Sequence, residues 1–333
     1  MTMTNTCWAW TSVINVMFND SVDSVDLVEN VCNCELIDLL LMFDLVDPTA
    51  VIYRASSNGH ISVVDRLLQD NRTDPSANNN EAIRGASSNG HISVVERLLQ
   101  DNRTDPSANN NVAIRVASQN GHIAVVERLL QDSRVDPSAD NNYAIRVASE
   151  KGHVAVVDRL LHDGRVDPSV YNNYAIRVAS ENGHIAVVDR LLQELTKCVD
   201  PSAINNYAIR LASLNGHVAV VDRLLQDGRV DPSVYINIAF RAASHNGHIA
   251  VVERLLQDSR VDPTAVNNEA IRLASKNGHI AVVERLLQDG RVDPSAVSEN
   301  VRHVDVVKLL MNEIASRKKP QQSYLSRFLH LFY

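Results

Sequence analysis

Eight histidines of this 333-residue sequence each follow a glycine, and they recur every 31 residues with one interval of 33. Histidine is a common metal ligand and acid–base group, so the column could carry chemistry. A metal site needs ligand nitrogens about 2.0–2.1 Å from one ion, whereas equivalent side chains of stacked helical units stand about 8–10 Å apart. We therefore predict structural turns, in which each histidine caps a helix and ties it to its neighbour. The pairs are Gly59-His60, Gly90-His91, Gly121-His122, Gly152-His153, Gly183-His184, Gly216-His217, Gly247-His248 and Gly278-His279.

Two columns of arginine follow the same period. The first ends an Ala-Ile-Arg or Ala-Phe-Arg tripeptide and comprises Arg84, Arg115, Arg146, Arg177, Arg210, Arg241 and Arg272. Because repeated like charges need partners, we predict a ladder of contacts to backbone carbonyls and to loop carboxylates such as Asp136 and Asp167. The alternative is a basic stripe that binds an acidic or phosphorylated partner. The second column, in which an acidic residue precedes each arginine, is typical of a solvated outer face; it comprises Arg97, Arg128, Arg159 and Arg190.

The sequence argues against an enzyme. It contains no GxxxxGK[ST], GxGxxG, HExxH, GxSxG or CxxC motif, each of which would place phosphate-binding, metal-binding or nucleophilic groups at a defined point. Catalysis needs unlike groups that converge on one point, whereas a repeat presents the same groups along a line. Four scattered cysteines favour neither a disulfide framework nor a zinc site. We predict no catalytic residue, no cofactor and no metal.

The composition limits the partners and the setting. A formal net charge of −8 gives no general affinity for nucleic acid. With 45% apolar but only 5% aromatic residues, the core must consist of Val, Leu, Ile and Ala, as in thin stacked helices. No apolar run is long enough to span a membrane, and no basic residue precedes the apolar stretch near the N-terminus, unlike in a secretory signal. We therefore expect an intracellular, cytoplasmic protein.

The elements that position these columns can be read from one unit, Asp136–Val166. Asn142 is a suitable N-cap for a short first helix, and Gly152 suits the left-handed position that ends it. A second helix follows, and neither helix is long enough to persist alone. Each unit therefore buries its apolar stripes against its neighbours. The stripes are Ala144, Ile145 and Ala148 on the first helix and Val156, Val157, Leu160 and Leu161 on the second.

The segment Ala175–Leu192, AIRVASENGHIAVVDRLL, resembles the ankyrin pattern TPLHxAAxxGHxxVVxxLL, and the resemblance covers roughly residues 30–311. It implies an all-α, ankyrin-like solenoid of stacked helix–turn–helix repeats, with finger loops and first helices on a concave side. Two departures stand out: x-Ala-Ile-Arg replaces Thr-Pro-Leu-His, and the unit has 31 residues instead of 33. We therefore expect a short finger loop instead of a β-hairpin. This variant is similar to arrays of large DNA viruses and protists.

The repeat also sets the domain organisation. Residues 1–24 form an N-terminal segment, 25–46 a degenerate capping repeat, and 47–316 eight repeats with a truncated C-terminal cap. Residues 317–333 form a basic and aromatic tail. The tail is interpreted as a helix that covers the apolar end of the stack, with partner docking and membrane-surface anchoring as alternatives.

Positions that differ between units are the candidates for partner binding. One column precedes Ala-Ile-Arg, one lies in the finger, and one follows the Ala-Ser pair. By the resemblance, the first and third face the concave side. Tyrosine is a favoured interface anchor, although these rings could instead pack within the stack. The predicted partner-binding residues are Tyr143, Glu150, Tyr171, Tyr174, Glu181, Tyr207, Leu214 and Tyr235.

These patterns predict a non-catalytic protein-interaction scaffold or adaptor. Its partner would be a protein bound on the concave side of the array. Two alternatives stay open: a recruitment adaptor whose tail docks a larger machine, and a structural or self-associating spacer. The partner's identity does not follow from the sequence, because a binding surface is a shape and not a motif.

Overall fold

The computed structural model describes residues 34–194, 199–297 and 301–329, with side chains from residue 37 to residue 317. The predicted segment 1–24 and the side chains of the tail beyond Arg317 lie outside the described residues. The described chain forms eighteen α-helices and one 3₁₀ turn, Pro294–Ala296, and contains no strand. The helices are α1 Cys34–Met42, α2 Pro48–Ser57, α3 Ile61–Leu68, α4 Ala77–Ser88, α5 Ile92–Leu99, α6 Ala108–Gln119, α7 Ile123–Leu130, α8 Ala139–Lys151, α9 Val154–Leu161, α10 Val170–Glu181, α11 Ile185–Leu192, α12 Ala203–Leu214, α13 Val218–Leu225, α14 Val234–His245, α15 Ile249–Leu256, α16 Ala265–Asn277, α17 Ile280–Leu287 and α18 Val304–Leu329.

The described residues divide into two compact units, the first ending at Val170 and the second beginning at Tyr171. In the first unit, α2, α4, α6 and α8 pack side by side, and α3, α5, α7 and α9 form a second layer. In the second unit, α12, α14 and α16 form the layer of first helices, and α11, α13, α15 and α17 that of second helices. The predicted all-α stack of helix pairs is confirmed.

The predicted stripes form the core. Ala144, Ile145 and Ala148 are fully buried, and Val156, Val157 and Leu160 are at most 1% exposed. The largest fully buried side chain is Phe240, which takes the place of isoleucine in one repeat. Burial of small aliphatic side chains on both helices explains how helices of 8 to 13 residues persist, since isolated helices of this length are marginal in water.

Seven of the described fingers each contain three consecutive residues with left-handed backbone conformation. In the fourth repeat these are Asp140, Asn141 and Asn142, with φ between 53° and 58°. Asparagine and aspartate tolerate this conformation better than other side chains do. The expectation of a tight loop instead of a β-hairpin is confirmed for the described residues.

The expectation that the Asn142 side chain caps its own helix is wrong. Asn142 is buried, and its Oδ1 accepts a hydrogen bond from the Asp167 backbone N–H of the next repeat at 2.7 Å. The same bond recurs along the chain, for example from Asp231 N–H to Asn206 Oδ1 at 2.8 Å. A local cap would satisfy one donor of its own helix, but here the left-handed turn aims the amide at the following loop.

The last helix completes the stack with fewer residues than a full repeat. Arg317 of α18 donates to the carbonyls of Val292 at 2.7 Å and Leu287 at 2.8 Å. These bonds reproduce those of Arg103, which donates to the carbonyls of Thr73 and Leu68. Because α18 continues to Leu329, it passes through the predicted tail boundary at residue 317. In the described part of the chain, no helix combines the length and apolarity needed to cross a membrane.

Candidate functional site

The glycine–histidine pairs join neighbouring repeats. Gly121 has φ +77°, and a Cβ placed on it would lie 2.6 Å from Nδ1 of His153 in the next repeat. His153 Nε2 donates to the Gln119 carbonyl at 3.0 Å. In the preceding repeat, His122 Nε2 and Asn120 Nδ2 both donate to the Ser88 carbonyl, at 2.9 and 2.7 Å.

The histidine column is therefore occupied by contacts between repeats. The prediction that each histidine caps its second helix is wrong for the side chain, because the imidazole stands at the N-cap position but makes no capping bond there, as at His153. Further inter-repeat bonds of this type are made by His91, His217, His248 and His279. Gly90, Gly183, Gly216, Gly247 and Gly278 have φ between 76° and 80°, and Gly152 has φ 79°. No cluster of three His, Cys, Asp or Glu residues that could hold a metal ion occurs among the described residues.

The first arginine column braces the fingers. Arg177 donates from Nε to the Asn172 carbonyl and from Nη2 to the Tyr171 carbonyl, both at 3.0 Å. Arg115 forms an ion pair with Asp140 of the next finger at 2.7 Å. The predicted contacts to backbone carbonyls are confirmed.

The loop carboxylates predicted to pair with this arginine column, Asp136 and Asp167, have other partners. Asp136 accepts hydrogen bonds from the N–H and Oγ–H of Ser138 at 2.9 and 2.6 Å, and Asp167 accepts in the same way from Ser169. In each loop the serine lies two residues after the aspartate, so it reaches the carboxylate without a contact to another helix. The loop aspartates therefore accept hydrogen bonds from their own loop.

The second arginine column is not simply a solvated face. Arg97 Nε contacts Asp65 of the preceding repeat at 2.5 Å, and Arg223 contacts Asp189 at 2.6 Å. The arginine side chains are 27% exposed in both pairs. The sequence interpretation missed this ladder because the acidic neighbour in sequence is not the partner; the partner lies one repeat earlier.

A further inter-repeat clamp was also missed by the sequence interpretation, although its signal is an Asp-x-Arg spacing in the loop. Asp101 accepts from Arg103 Nε at 2.9 Å and from Arg103 Nη2 at 2.7 Å. The same arginine donates from Nη1 to the carbonyl of Thr73 at 2.8 Å. Hydrogen bonds from Arg103 hold the pKa of the Asp101 carboxyl below its ordinary value. Its equivalent Asp70, bonded to Arg72, has a pKa of about 2.

These lowered pKa values predict acid sensitivity. A carboxyl whose folded pKa is depressed stabilises the fold fully above its unfolded pKa, and this contribution is lost as the pH falls through the folded value. For Asp70 the window lies between its ordinary pKa of 3.8 and about 2. We expect the Tm of the full chain to fall steeply in this window.

The substitution Asp70→Asn tests the assignment, because it removes one titrating clamp. It should lower the Tm by a few degrees near neutral pH and flatten the acid slope. Thermal melts followed by circular dichroism between about pH 7 and pH 2 measure both effects. If the Tm of the variant fell with pH as steeply as that of the unsubstituted chain, the Asp–Arg contacts would not be the cause of the acid transition.

The second unit contains an alternation of tyrosine and arginine that we call the tyrosine–arginine ladder: Tyr174, Arg177, Tyr207, Arg210 and Tyr235. The Arg177 guanidinium carbon lies 5.6 Å from the centroid of the Tyr174 ring and 5.3 Å from that of Tyr207. The Arg210 carbon lies 5.2 Å from the Tyr207 centroid and 4.9 Å from that of Tyr235. These separations are typical of cation–π contacts.

In the first unit, Tyr143 has the same environment. Its ring centroid lies 4.5 Å from the Arg115 guanidinium carbon and 5.4 Å from that of Arg146. The sequence interpretation treated the tyrosine and arginine columns separately, although Tyr-Ala-Ile-Arg places the two side chains at i and i+3, where they meet on a helix. These half-buried rings therefore brace neighbouring repeats.

The other predicted binding positions lie at the surface. Tyr171 and Tyr235 of the fingers are 54% and 55% exposed, and Leu214 at the end of α12 is 40% exposed. Glu181 is exposed, while its backbone carbonyl accepts from Asn215 and His217. Glu150 of the first unit is half-buried and contacts Lys151 at 3.1 Å.

The finger column changes character between the units. It carries Asn78, Asn109 and Asp140 in the first unit but apolar residues in the second: Tyr171, Ile204, Tyr235 and Val266. All seven positions have positive φ. A β-branched residue in this conformation is a genuine outlier, so Ile204 and Val266 are strained and 40–43% exposed.

Comparisons with known proteins agree with this architecture. A family model described as "Ankyrin repeats (3 copies)" matches residues 114–202 and 209–298, more than half of the chain. No curated protein matches the chain. The chain therefore belongs to the ankyrin repeat family, as shown by this match together with the stacked pairs of short helices and the left-handed glycine turns before histidine.

Proposed function

We propose that this chain is a non-catalytic scaffold or adaptor that binds a partner protein through its second unit. Ankyrin repeats are generally protein–protein interaction modules and are typically non-catalytic. The proposed surface consists of the tyrosine–arginine ladder with Tyr171, Glu181, Ile204 and Leu214 beside it. The first unit carries corresponding candidates, Tyr143 and Glu150.

The observation that carries the proposal is the ladder itself. Tyrosine and arginine are enriched among residues that dominate binding energy at protein interfaces. In the ladder, each arginine lies against two rings, and Tyr235 Oη accepts a hydrogen bond from Asn205 at 2.9 Å. Such contacts restrict the side chains before binding, so less conformational entropy is lost when a partner docks.

The finger column supports the same surface. Placing a residue other than glycine or asparagine in the left-handed conformation costs roughly 1–2 kcal/mol. The exposed side chains of Ile204 and Tyr235 recover little of this cost by burial within the unit. Exposed apolar residues at strained positions are explained if a bound partner buries them.

A triple variant tests the proposal. Full-length protein immobilised on a support is exposed to cell lysate, and the retained proteins are identified by mass spectrometry. Replacing Tyr174, Tyr207 and Tyr235 with alanine should reduce retention of the specific partner at least tenfold, since several central anchors are lost together. Titration of the purified partner then measures the change in Kd directly.

The matched control replaces Gln226, Gln257 and Gln288 with alanine, because these exposed residues follow the second helices of the same unit. It should retain the partner. Loss of cation–π contacts lowers stability by about 0.5–1 kcal/mol per exposed pair, so the tyrosine variant should still melt cooperatively. A partner retained equally by both variants, or self-association as the only interaction, would contradict the proposal.

A further inference from the structure

Arg210 differs from the other arginines of its column in having no polar partner. Arg177 donates to two finger carbonyls, and Arg241 pairs with Glu269 and also donates to its finger. Among the described residues, Arg210 makes no hydrogen bond or ion pair, and its guanidinium carbon lies over the rings of Tyr207 and Tyr235. Its buried Nε has no acceptor, which is also true of Nε in Arg84, Arg115 and Arg272, but those arginines have polar partners at other atoms. The guanidinium of this half-buried arginine therefore donates no hydrogen bond to the described part of the protein.

Exposed apolar side chains lie at the repeat positions that flank Arg210. In two other repeats a glutamate follows the arginine by four residues, Glu150 after Arg146 and Glu181 after Arg177. The equivalent of these glutamates beside Arg210 is Leu214, which is 40% exposed. The finger before it carries Ile204, which is 43% exposed. The carboxylate is thus replaced by apolar surface around a retained positive charge.

We infer that Arg210 is a receptor for a carboxylate side chain of an acidic segment in the bound partner, flanked there by large apolar side chains. The inference rests on the proposed function, since it specifies the chemistry of the partner at that surface. A charge removed from water without a counter-ion is unfavourable, and a carboxylate supplied by the partner would relieve this cost. The two tyrosine rings restrain the guanidinium, whose carbon lies 5.2 and 4.9 Å from their centroids, and its planar fork matches the two oxygens of a carboxylate.

Charge along the same layer of first helices supports an acidic partner. The first helices α12, α14 and α16 carry four basic residues, Arg210, Arg241, Arg272 and Lys276, and one carboxylate, Glu269. The whole chain has a net charge of −8, so its overall field opposes an acidic ligand. Attraction of such a ligand must come from this local cluster.

The test uses a defined probe. A fluorescein-labelled random copolymer of glutamate and tyrosine presents carboxylates beside large apolar side chains, and a copolymer of lysine and tyrosine is the charge-reversed control. Fluorescence anisotropy with the full chain measures the Kd of each. We expect the glutamate copolymer to bind more tightly than the lysine copolymer and to weaken with added salt.

Two substitutions locate the binding to the guanidinium. Arg210→Gln should raise the Kd for the glutamate copolymer about tenfold, because one charge-assisted pair is lost. Arg210→Lys should raise it less, since the charge remains but the fork is removed. The control is Arg84→Gln in the first unit, whose arginine already donates to the Asn78 carbonyl at 2.8 Å; its effect should stay under twofold.

An unchanged Kd in the folded Arg210→Gln variant, equal binding of the lysine copolymer, or no binding of the glutamate copolymer would overturn the inference. These results leave the proposed function intact if the lysate partner still depends on the ladder tyrosines. A partner that ignores the tyrosines overturns the proposed function instead. The two failures are therefore distinguishable.

Discussion

Replacing Gly121 with alanine is expected to lower the free energy of unfolding by about 2–4 kcal/mol. Part of the loss is the roughly 1–2 kcal/mol that a Cβ costs in the left-handed conformation. The rest comes from the His153 ring, which the new Cβ would approach to 2.6 Å. The ring must move, and its hydrogen bond to the Gln119 carbonyl is then weakened. Urea denaturation of the full chain measures the change.

The matched control is Gly164→Ala in the following loop of the same unit. No atom lies within 4 Å of a Cβ placed on Gly164, and its φ is outside the left-handed range. We expect a change within about 0.5 kcal/mol, as for surface substitutions without a special backbone role. Equal destabilisation by both substitutions would refute the role assigned to the glycine–histidine contact.

The second large effect is expected for Asn142→Ala, at about 2–3 kcal/mol. The substitution removes the buried acceptor of the Asp167 N–H, and loss of this part-buried hydrogen bond costs about 1–2 kcal/mol. Alanine also fits the left-handed conformation less well than asparagine does. The free energy of unfolding from urea titration is again the measurement.

Asn141→Ala provides the comparison, because Asn141 has nearly the same φ, 53°, but is exposed. It should lose only the backbone preference, about 1 kcal/mol. The difference between the two variants therefore isolates the bond between repeats. If Asn141→Ala destabilises as much as Asn142→Ala, the inter-repeat bond contributes nothing measurable.

The candidate binding residues were only partly predictable. The position of Tyr207 in a column that differs between repeats singled it out, but its contact with Arg177 of the preceding repeat depends on how the helices stack. Leu214 was likewise found by its column. The lack of a polar partner for Arg210 was not predictable, because Arg115 in the same column forms an ion pair with Asp140 of the next finger.

The period, the helix pairs and the glycine turns could be predicted from the sequence, because apolar stripes and left-handed positions are local properties that one repeat already shows. The sequence also excluded catalytic motifs of the common kinds. The partners of Asn142 and Arg97 depend on how the repeats stack, because these partners lie 25 and 32 residues away in neighbouring repeats. The period of the Gly-His pairs could be predicted from their spacing in the sequence. The packing of each histidine on the glycine of the preceding repeat could not, because it depends on the distance between stacked repeats.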